Sequence, residues 1–363
     1  MRTLVLVYNF PQQIMSIRAR NLFSDTANTT IVCRASNNLF DTFRFVWATI
    51  KHPSEIIYAF DIGLPSFIAS LFYKITTLGR VKVIIDTGDL VYLFSKAERK
   101  YGVVQLFIIK LIEDWFIKLA DRIVVRAPYH KVYLERHYGK KDIEYLPDGV
   151  DLEKFRPGSG NEIRKKLGIE GNFVIGVMGN LFWIEEWEWC YGWYELKALS
   201  MLQDLKIKFL VVGDGRGLDK LKQRAHEFGI EDKVIFTGRV PHSEVGKYLN
   251  AMDVFVFTQP HHLQTRIRTC AKLPELLASG CFIVSTDLDE PIKYIKKNGE
   301  IVEFKGLKDP TYPERFAKVL RRLYNNPRKV KNGILGREKA EKNFSYPVLR
   351  KKLNEILKKP FSK

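Results

Sequence analysis

The sequence predicts an α/β protein made of two parallel-sheet domains. Short β-branched runs alternate with longer amphipathic stretches in both halves of the chain, which is the pattern of parallel strands joined by helices. The 363 residues are 46% hydrophobic and 28% charged, enough for two buried cores. A turn at 147–151, followed by a polar segment around 156–160, marks the boundary between the halves. We therefore expect two doubly wound domains of similar architecture.

The first half contains six runs with strand character and long helical stretches between them. Each run is four to six residues long and rich in Val, Ile, Tyr or Thr. The predicted strands are 3–8, 29–33, 55–60, 81–86, 122–126 and 143–146, and the predicted helices include 65–76 and 103–120.

The second half repeats this alternation without a fixed-period repeat. Predicted strands are 173–178, 207–212, 234–237, 254–257 and 282–285. Predicted helices are 217–228, 242–252, 274–279 and 313–324, with a final basic helix at 348–357.

The net charge of +18 is concentrated near the C-terminus. Residues 291–363 contain 21 Lys and Arg against 7 Asp and Glu, a difference of 14. This segment could meet an anionic membrane surface, or it could be a solvated helical face of a Lys-rich protein. Nucleic acid is a weaker expectation, because no basic strand carries the interleaved aromatic residues that stack on bases.

The chain has no features of a membrane-spanning or disulfide-rich protein. No run of eighteen apolar residues occurs, and the apolar run of the first strand, which begins almost at the initiator Met, is too short and too weakly flanked for a signal peptide. Cys33, Cys190, Cys270 and Cys281 have no metal-binding spacing. We expect free thiols in a cytoplasmic protein, with the inner membrane face as a second possibility.

Residues 272–287 contain a helix start, a helix stop and a buried strand, which makes this stretch a candidate ligand site. Pro274 suits the first turn of a helix, and Glu275 places an acceptor among its free N–H groups. Gly280 supplies the left-handed stop before an apolar run that ends at Asp287. A helix start beside a strand end commonly binds phosphate, although Glu275 could simply complement the helix dipole.

Three further glycine-containing signals precede this stretch in a fixed order. They are Gly-Val-Met-Gly-Asn at 176–180, Val-Val-Gly-Asp-Gly-Arg-Gly at 211–217 and Phe-Thr-Gly-Arg-Val at 236–240. Glycine allows the backbone to approach a ligand closely. The first half adds Ile-Ile-Tyr-Ala at 56–59, Ile-Val-Val at 123–125 and Leu-Pro-Asp-Gly-Val-Asp-Leu-Glu-Lys-Phe-Arg-Pro at 146–157.

Taken together, these motifs resemble the retaining glycosyltransferases of family 4, which have the GT-B fold. The resemblance implies two doubly wound, Rossmann-like domains facing across a cleft. Residues 1–155, with a returning helix at about 345–363, would bind the acceptor. Residues 170–344 would bind a nucleotide sugar.

The resemblance also assigns roles to individual residues. Glu275 matches the carboxylate that accepts both ribose hydroxyls, and the loop of Arg239 and Val240 matches the backbone beside the base. The turns that border the nucleotide and its diphosphate correspond to Gly179, Asn180, Gly213, Gly215, Leu273 and Pro274. Catalysis then needs no protein nucleophile and no cofactor. A UDP- or GDP-sugar is the substrate, and the protein chiefly stabilises the departing nucleoside diphosphate.

On the donor side, the chain departs from the family at two places. Ile267 occupies the position of a second Glu that often meets the sugar. The acidic and aromatic residues 182–189 replace the Arg and Lys that neutralise diphosphate in relatives. Arg266, Arg268 and Lys272 could act instead as a phosphate clamp, of which Arg268 and Lys272 are the strongest candidates; the alternative is a solvated loop.

On the acceptor side, Asp-Thr-Gly-Asp at 86–89 stands where many relatives have a catalytic His. Asp86 or Asp89 could orient or deprotonate an acceptor hydroxyl, or could equally cap a turn. His261 and His262 could touch the donor sugar, but adjacent His residues in a polar loop more often have no ligand. No metal is expected, although Asp287 and Asp289 follow a strand.

Several alternatives stay open. The amphipathic stretch 103–116 could lie on a membrane, near a lipid-linked or polysaccharide acceptor, or it could pack on its own sheet. A nucleotide-sugar epimerase on the same fold, or a catalytically degenerate protein that binds nucleotide sugars or membrane surfaces, would also fit these residues.

Overall fold

The computed structural model describes residues 1–36, 39–268 and 271–361, and they form two compact units. The first unit contains the described residues of Met1–Gly149 together with 266–268 and 346–361. The second unit contains Val150–Thr265 and 271–345.

The first unit is built on a six-stranded parallel sheet with the order β2-β1-β3-β4-β5-β6. Its strands are β1 (Thr3–Val7), β2 (Thr29–Cys33), β3 (Ile56–Phe60), β4 (Lys82–Thr87), β5 (Arg122–Val125) and β6 (Ile143–Tyr145). Its first helices are α1 (Ile14–Phe23), α2 (Phe40–Lys51), α3 (Leu64–Thr76), α4 (Val91–Ala97), α5 (Val103–Leu119) and α6 (Pro128–Tyr138).

The second unit also has a six-stranded parallel sheet, with the order β12-β11-β10-β7-β8-β9. Its strands are β7 (Phe173–Met178), β8 (Ile207–Val212), β9 (Val234–Gly238), β10 (Val254–Phe257), β11 (Phe282–Thr286) and β12 (Gly299–Val302). The helices from residue 161 to 344 are α7 (Asn161–Leu167), α8 (Trp193–Ser200), α9 (Leu218–Glu227), α10 (Val245–Asn250), α11 (Leu263–Ile267), α12 (Leu273–Ala278), α13 (Asp289–Ile295), α14 (Tyr312–Asn325), α15 (Pro327–Val330) and α16 (Gly336–Phe344), with 3₁₀ turns at Glu231–Lys233 and Lys331–Leu335.

The last helix, α17 (Tyr346–Lys358), belongs to the first unit. It packs with α1 on one face of the first sheet, where Leu349 and Leu353 join the core of β1 and β3. Helices α2 and α3 cover the opposite face through Phe45 and Ala69. Helix α1 connects β1 to β2, and α2 connects β2 back to β3 in the opposite direction, so right-handed crossovers place these two helices on opposite faces of the sheet.

In the second sheet, the strand order reverses between β7 and β10. The chain leaves β7 toward β8 on one side and returns to β10 on the other side. In open α/β sheets, ligands bind at the carboxyl ends of the strands beside such a reversal. Residues 179–180 and 258–259 therefore occupy the favoured position in this unit.

The structure confirms the predicted fold of two doubly wound parallel sheets. All eleven predicted strands are present, but the twelfth, β12, was not predicted. Only Ile301 and Val302 are apolar within β12, so its four residues lack the continuous apolar run of the other strands. It forms an edge strand that pairs with β11 alone.

The helix predicted at 242–252 is wrong at its start. Helix α10 begins at Val245, and His242 lies in the turn that precedes it. Residues 241–244 form a turn instead. A hydrogen bond of 2.9 Å from the N–H of Glu244 to the carbonyl of Pro241 closes this turn.

Three of the four cysteines lie among the described residues, and all three are free thiols. Cys190 and Cys281 are buried, and burial raises the pKa of each thiol to about 12. Cys33 is half-buried, and Cys270 lies outside the described residues.

Candidate functional site

The turns after β7 and β8 in the second unit pack directly on each other. A Cβ added to Gly213, which has φ +137°, would lie 1.9 Å from the carbonyl oxygen of Gly179. A Cβ on Gly215, which has φ +153°, would lie 2.8 Å from Asn180 Oδ1. Side chains at these two positions would separate the turns. The glycines of the second signal are therefore required by backbone packing, whether or not a ligand is bound.

Lys272 lies over the first of these turns. A Cβ on Gly179 would come within 2.5 Å of Lys272 Nζ, so the missing side chain leaves the space that the ammonium group occupies. The same Nζ is 4.0 Å from the centre of the Tyr191 ring. The Tyr191 hydroxyl in turn accepts a hydrogen bond of 3.0 Å from Gln259 Nε2, at the end of β10. The ammonium group of Lys272 thus lies where the strand order of the second sheet reverses.

Glu275 lies in the first turn of α12, and a histidine orients its carboxylate. His242 Nε2 is 3.1 Å from Glu275 Oε1, and His242 Nδ1 is 2.9 Å from Lys154 Nζ. Because an ammonium group can only donate, Nδ1 accepts and the Nε2 proton is directed at Glu275. The ring of His242 also packs edge-on against Phe155, with 5.5 Å between the centroids.

Arg337 of α16 holds the two segments that supply these side chains. Its guanidinium donates to the carbonyls of Leu152 at 3.1 Å and Phe155 at 2.6 Å, and to that of Ala278 at 3.1 Å. The first two carbonyls belong to the segment that carries Lys154, and the third belongs to α12. One partly buried cation, 22% exposed, therefore couples the Phe-x-Pro motif to the helix of Glu275.

The residues predicted to border the base lie just after β9. Arg239 is exposed, and Val240 packs against the core of the second unit. The preceding Gly238 has φ +67°, and its carbonyl accepts a 2.9 Å bond from the N–H of Gly213. This bond joins the predicted base loop to the glycine turn after β8.

Leu273 and Pro274 occupy the start of α12, but both side chains are buried in the core. The helix has only six residues, so its dipole is small compared with that of a long helix. Lys272 and Glu275 are therefore the side chains of this stretch that offer polar atoms to a ligand.

The two adjacent His residues have protein partners. His261 Nε2 lies 2.9 Å from Asp287 Oδ1, which also accepts the N–H of Phe304 at 2.8 Å. The His262 ring packs on Trp187 with 4.7 Å between the centroids, and burial lowers the pKa of His262. These contacts give both side chains a structural role.

Residues 182–189 fold back on themselves. Ile184 and Trp189 form an antiparallel bridge, and the N–H of Ile184 donates to the carbonyl of Trp189 at 2.9 Å. Trp187 is 2% exposed. The aromatic residues that replace the expected Arg and Lys thus form part of the core beside the strand reversal.

The three cations of the predicted phosphate clamp have separate partners. Residues 266–268 group with the first unit, where the Arg266 guanidinium lies 3.8 Å from the centre of the Tyr129 ring. Arg268 Nε lies 3.1 Å from Asp89 Oδ1. Ile267, in the position of the expected sugar-binding Glu, is fully buried. Lys272 lies beside Gly179 in the second unit.

Asp86 and Asp89 differ sharply in their surroundings. Asp86 is fully buried, and its carboxylate accepts hydrogen bonds from Arg18 at 3.2 Å, Arg126 at 3.0 Å and the Tyr58 hydroxyl at 2.9 Å. Burial opposes the charge of Arg126, but neighbouring carboxylates outweigh this effect and raise its pKa. Asp86 therefore holds the core of the first unit, whereas the Asp89 side chain is 37% exposed.

The same network fixes the Pro-Asp-Gly turn. Arg18 Nη1 donates to the carbonyl of Pro147 at 2.6 Å and to Asp148 Oδ1 at 3.2 Å. Asp148 of this turn thus neutralises the Arg18 guanidinium, which is 2% exposed. This pairing gives a physical reason for an Asp at the second position of the Pro-Asp-Gly turn. Nearby, His130 of α6 is fully buried, and burial lowers its pKa to about 4.

Comparison with solved structures identifies the fold class. A structure of HepE from Anabaena with UDP and glucose superposes with a TM-score of 0.73 at 14% identity, covering 99% of this chain and 100% of that one. Sucrose-phosphate synthase from Thermosynechococcus elongatus gives 0.72 at 15% identity, with 98% of both chains covered. The two parallel-sheet units are those of GT-B glycosyltransferases.

The family model for glycosyl transferases group 1 matches residues 161–342. The chain belongs to this family. It is also 26% identical over 162 residues to 2-deoxystreptamine glucosyltransferase of Streptomyces kanamyceticus, covering 42% of this chain and 41% of that protein. It is 27% identical over 188 residues to alpha-monoglucosyldiacylglycerol synthase of Streptococcus pneumoniae, covering 47% and 40%. The matches thus span about two fifths of these relatives.

Sequence reasoning missed His242, Lys154 and Tyr191 as site residues. The sequence predicts a helix that begins at His242, and Lys154 belongs to a motif in which it has no predicted role. Their contacts join positions 33 and 88 residues apart, and no local pattern encodes such a pairing.

Proposed function

We propose that the chain is a retaining glycosyltransferase that transfers a hexosyl group from a UDP- or GDP-sugar to a hydroxyl acceptor. The observation that carries the proposal is the pairing of Glu275, oriented by His242, with Lys272 over the Gly179 turn. A carboxylate offers two acceptor oxygens for the two ribose hydroxyls, and an ammonium group offers charge to a diphosphate. Lys272 and Glu275 are three residues apart in sequence, which is about one turn of a helix.

In the proposed reaction, the bond between the anomeric carbon and the β-phosphate oxygen breaks, and its electron pair leaves with the nucleoside diphosphate. Lys272 stabilises the developing negative charge. The acceptor oxygen forms the new bond to the anomeric carbon on the face that the diphosphate leaves, which retains the configuration. The acceptor proton passes to a diphosphate oxygen. We propose that the reaction needs no metal, because Lys272 supplies the positive charge.

The names of relatives support this class of donor and acceptor. One relative, 25% identical over 230 residues, is a GDP-mannose-dependent phosphatidylinositol monomannoside mannosyltransferase of Mycobacterium tuberculosis. Together with the alpha-monoglucosyldiacylglycerol synthase, it favours a lipid-linked acceptor for this chain over a polysaccharide. We assign the acceptor to the first unit, with Asp89 as the group that orients its hydroxyl, and the nucleotide sugar to the second unit.

Thermal unfolding with a panel of nucleoside diphosphates and their sugars tests the donor site. A ligand at 100 times its dissociation constant adds about 2.7 kcal/mol to the free energy of unfolding. We expect one nucleotide to raise the melting temperature, and Glu275→Ala to remove that rise. Glu314→Ala, which removes an exposed acidic residue from the first turn of α14, serves as the matched control. A Glu275→Ala variant that responds like the parent would show that the ribose site is misplaced.

Product analysis tests the reaction itself. Transfer requires an added acceptor, whereas epimerisation of the nucleotide sugar does not, and a protein that only binds gives neither product. Retention is read from the anomeric configuration of the product by nuclear magnetic resonance.

Cytoplasmic location and attachment to an anionic membrane surface are also proposals. The basic segment at 291–363 is a weaker candidate for the attachment site than its charge suggests, because many of its cations have carboxylate partners. Examples are Arg321 with Asp204 at 2.6 Å and Arg350 with Asp25 at 3.1 Å.

A further inference from the structure

The first unit carries a broad apolar surface on the outer side of α2, α3 and α5. Of the twenty large apolar side chains that are exposed among the described residues, thirteen lie on these helices or directly after α3. They are Phe40, Phe43, Trp47, Ile50, Leu71, Ile75, Leu78, Val103, Val104, Phe107, Ile108, Leu111 and Trp115. Phe43 is 73% exposed and Phe107 is 66% exposed. We call this surface the apolar face.

The three helices are neighbours in one layer. Helix α2 packs against α3, and α3 contacts α5 through the rings of Phe67 and Phe116, whose centroids are 5.6 Å apart. Lys74 of α3 donates to the carbonyl of Leu119 at the end of α5 at 3.0 Å. Since the buried sides of α2 and α3 already cover the sheet, the exposed side chains point away from the core. Single exposed apolar residues are normal, but a concentration of this size marks a binding surface.

The exposed charge in the segment that carries the apolar face is mainly positive. Between residues 39 and 120, six cations are exposed, whereas the exposed carboxylates are Glu55 and, in part, Asp89, whose side chain is 37% exposed. The six cations are Lys51, Arg80, Lys96, Arg99, Lys100 and Lys118. Glu113 of α5 is buried, and burial raises its pKa to about 7, while Asp114 pairs with Lys110. The apolar face thus lies in a segment with an excess of exposed positive charge.

This combination matches an anionic lipid surface. Trp and Phe side chains enter the boundary between headgroups and acyl chains, and Lys and Arg attract anionic headgroups. Trp47 and Trp115 are 62% and 57% exposed, and tryptophan favours this boundary. None of the described helices is long and apolar enough to span a bilayer, so the helices would lie in the interface.

We propose that the apolar face of α2, α3 and α5 binds the surface of an anionic membrane. The C-terminal basic segment is then not the main attachment site. This inference does not depend on the proposed donor site, since no residue of the face belongs to that site.

The test is flotation of the full chain with two kinds of vesicle, one of phosphatidylcholine and one of phosphatidylcholine mixed equally with phosphatidylglycerol. We expect at least about tenfold tighter binding to the anionic vesicles. The triple variant Trp47→Ser, Phe107→Ser, Trp115→Ser should lower that binding by about tenfold or more. The control Ile334→Ser, Leu335→Ser, Val348→Ser removes three exposed apolar side chains elsewhere and should bind like the parent.

A charge variant tests what the exposed cations contribute to binding, apart from the apolar side chains. Lys96→Gln, Arg99→Gln, Lys100→Gln should bind neutral and anionic vesicles more equally than the parent. The control Lys165→Gln, Lys166→Gln, Lys222→Gln removes three exposed cations of the second unit and should keep the parent's preference.

Tryptophan fluorescence gives a second readout that does not depend on flotation. Trp47 and Trp115 should shift to shorter emission wavelengths on anionic vesicles, and Trp47→Phe, Trp115→Phe should lose the shift while it keeps binding. Light scattering tests a second copy as the occupant. Absence of binding to anionic vesicles would overturn the proposal, as would a stable dimer that the triple Ser variant converts to monomer without any vesicle binding by the parent.

Discussion

His242 Nε2 lies 3.1 Å from Glu275 Oε1, and His242 Nδ1 lies 2.9 Å from Lys154 Nζ. The lysine fixes which ring nitrogen carries the proton, and that proton then fixes the direction of the carboxylate. The Glu275 side chain is only 20% exposed. A ligand would therefore meet a carboxylate whose orientation is set by residues from a turn and from the segment before α7.

The first prediction concerns this orientation. We expect His242→Ala to weaken nucleoside diphosphate binding by about tenfold, or about 1.4 kcal/mol, because Glu275 loses its donor. His242→Gln should restore part of the affinity, since its amide can donate to Glu275. Isothermal titration calorimetry measures both.

A double-mutant cycle provides the control for this prediction. In the Glu275→Ala background, His242→Ala should change affinity little, because the group that it positions is gone. His226→Ala removes an exposed histidine that pairs with Glu231 at 3.0 Å and should bind nucleotide like the parent. An undiminished effect of His242→Ala without Glu275 would mean that His242 acts on the ligand by another route.

Sequence patterns predict the fold of this chain better than its site. Strand positions follow from local apolar runs, so β2, β7, β8 and β10 occur where the sequence places them. Site geometry depends on which side chains meet after folding. Asp86 and Asp89 are equivalent candidates in the sequence, but only the folded core shows that Arg18 and Arg126 neutralise Asp86.

The predicted clamp shows the same limit. Arg266, Arg268 and Lys272 lie within seven residues of one another, which suggests a cluster. The structure instead gives each a different partner: Tyr129, Asp89 and Tyr191. Short-range spacing cannot predict these contacts, because aromatic rings and carboxylates from distant segments decide them.

The second prediction concerns Lys272. Lys272→Ala should weaken nucleoside diphosphate by about ten- to a hundredfold, because a charge-assisted contact to phosphate is lost. The affinity for the free nucleoside should change much less. Titration calorimetry with both ligands makes the comparison, and Lys222→Ala, an exposed lysine of α9, is the control. Equal losses for nucleoside and diphosphate would exclude a phosphate contact.

The third prediction concerns Asp89. Asp89→Asn should lower kcat by about a hundredfold if its charge orients the acceptor hydroxyl. The thermal shift caused by the donor nucleotide should stay the same, because the donor is assigned to the second unit. Arg268→Ala is the control for loss of the ion pair. It removes the Arg268 side chain, whose Nε lies 3.1 Å from Asp89 Oδ1, but keeps the Asp89 carboxylate. An Asp89→Asn variant with the parent's kcat would exclude this role.

The fourth prediction concerns pH. Glu195 of α8 is fully buried, and burial raises its pKa to about 7. In the unfolded chain, the pKa of a glutamate side chain is about 4.3. The unfolded state therefore loses its proton first, and the free energy of unfolding falls as pH rises from about 4.3 through about 7. Glu195→Gln should raise the melting temperature at pH 8 and reduce this dependence.

Thermal unfolding between pH 5 and pH 8, followed by circular dichroism, measures the effect. The difference between the parent and Glu195→Gln should grow with pH and reach on the order of 2 kcal/mol. Glu314→Gln replaces an exposed glutamate of α14, and its stability should depend on pH in the same way as that of the parent. A constant difference across this range would contradict titration of Glu195.

The fifth prediction concerns the anchor of the chain's C-terminal end. Arg122 is fully buried and pairs with Asp142 through bonds of 2.6 Å and 2.9 Å. It also donates to the carbonyls of Lys359 at 3.0 Å and Pro360 at 2.7 Å, just beyond α17. Arg122→Ala should lower the free energy of unfolding by roughly 3–5 kcal/mol, since it leaves Asp142 buried without its partner.

Urea denaturation measures this loss, and two further variants identify its cause. The double variant Arg122→Met, Asp142→Leu should recover much of the stability, because it removes the buried carboxylate together with the cation. Lys359→Ala breaks an ion pair with Glu144 near the same helix end, but its side chain is 58% exposed. That loss should stay below about 1 kcal/mol. If Lys359→Ala were as destabilising as Arg122→Ala, docking of the helix end, not burial of charge, would explain the result.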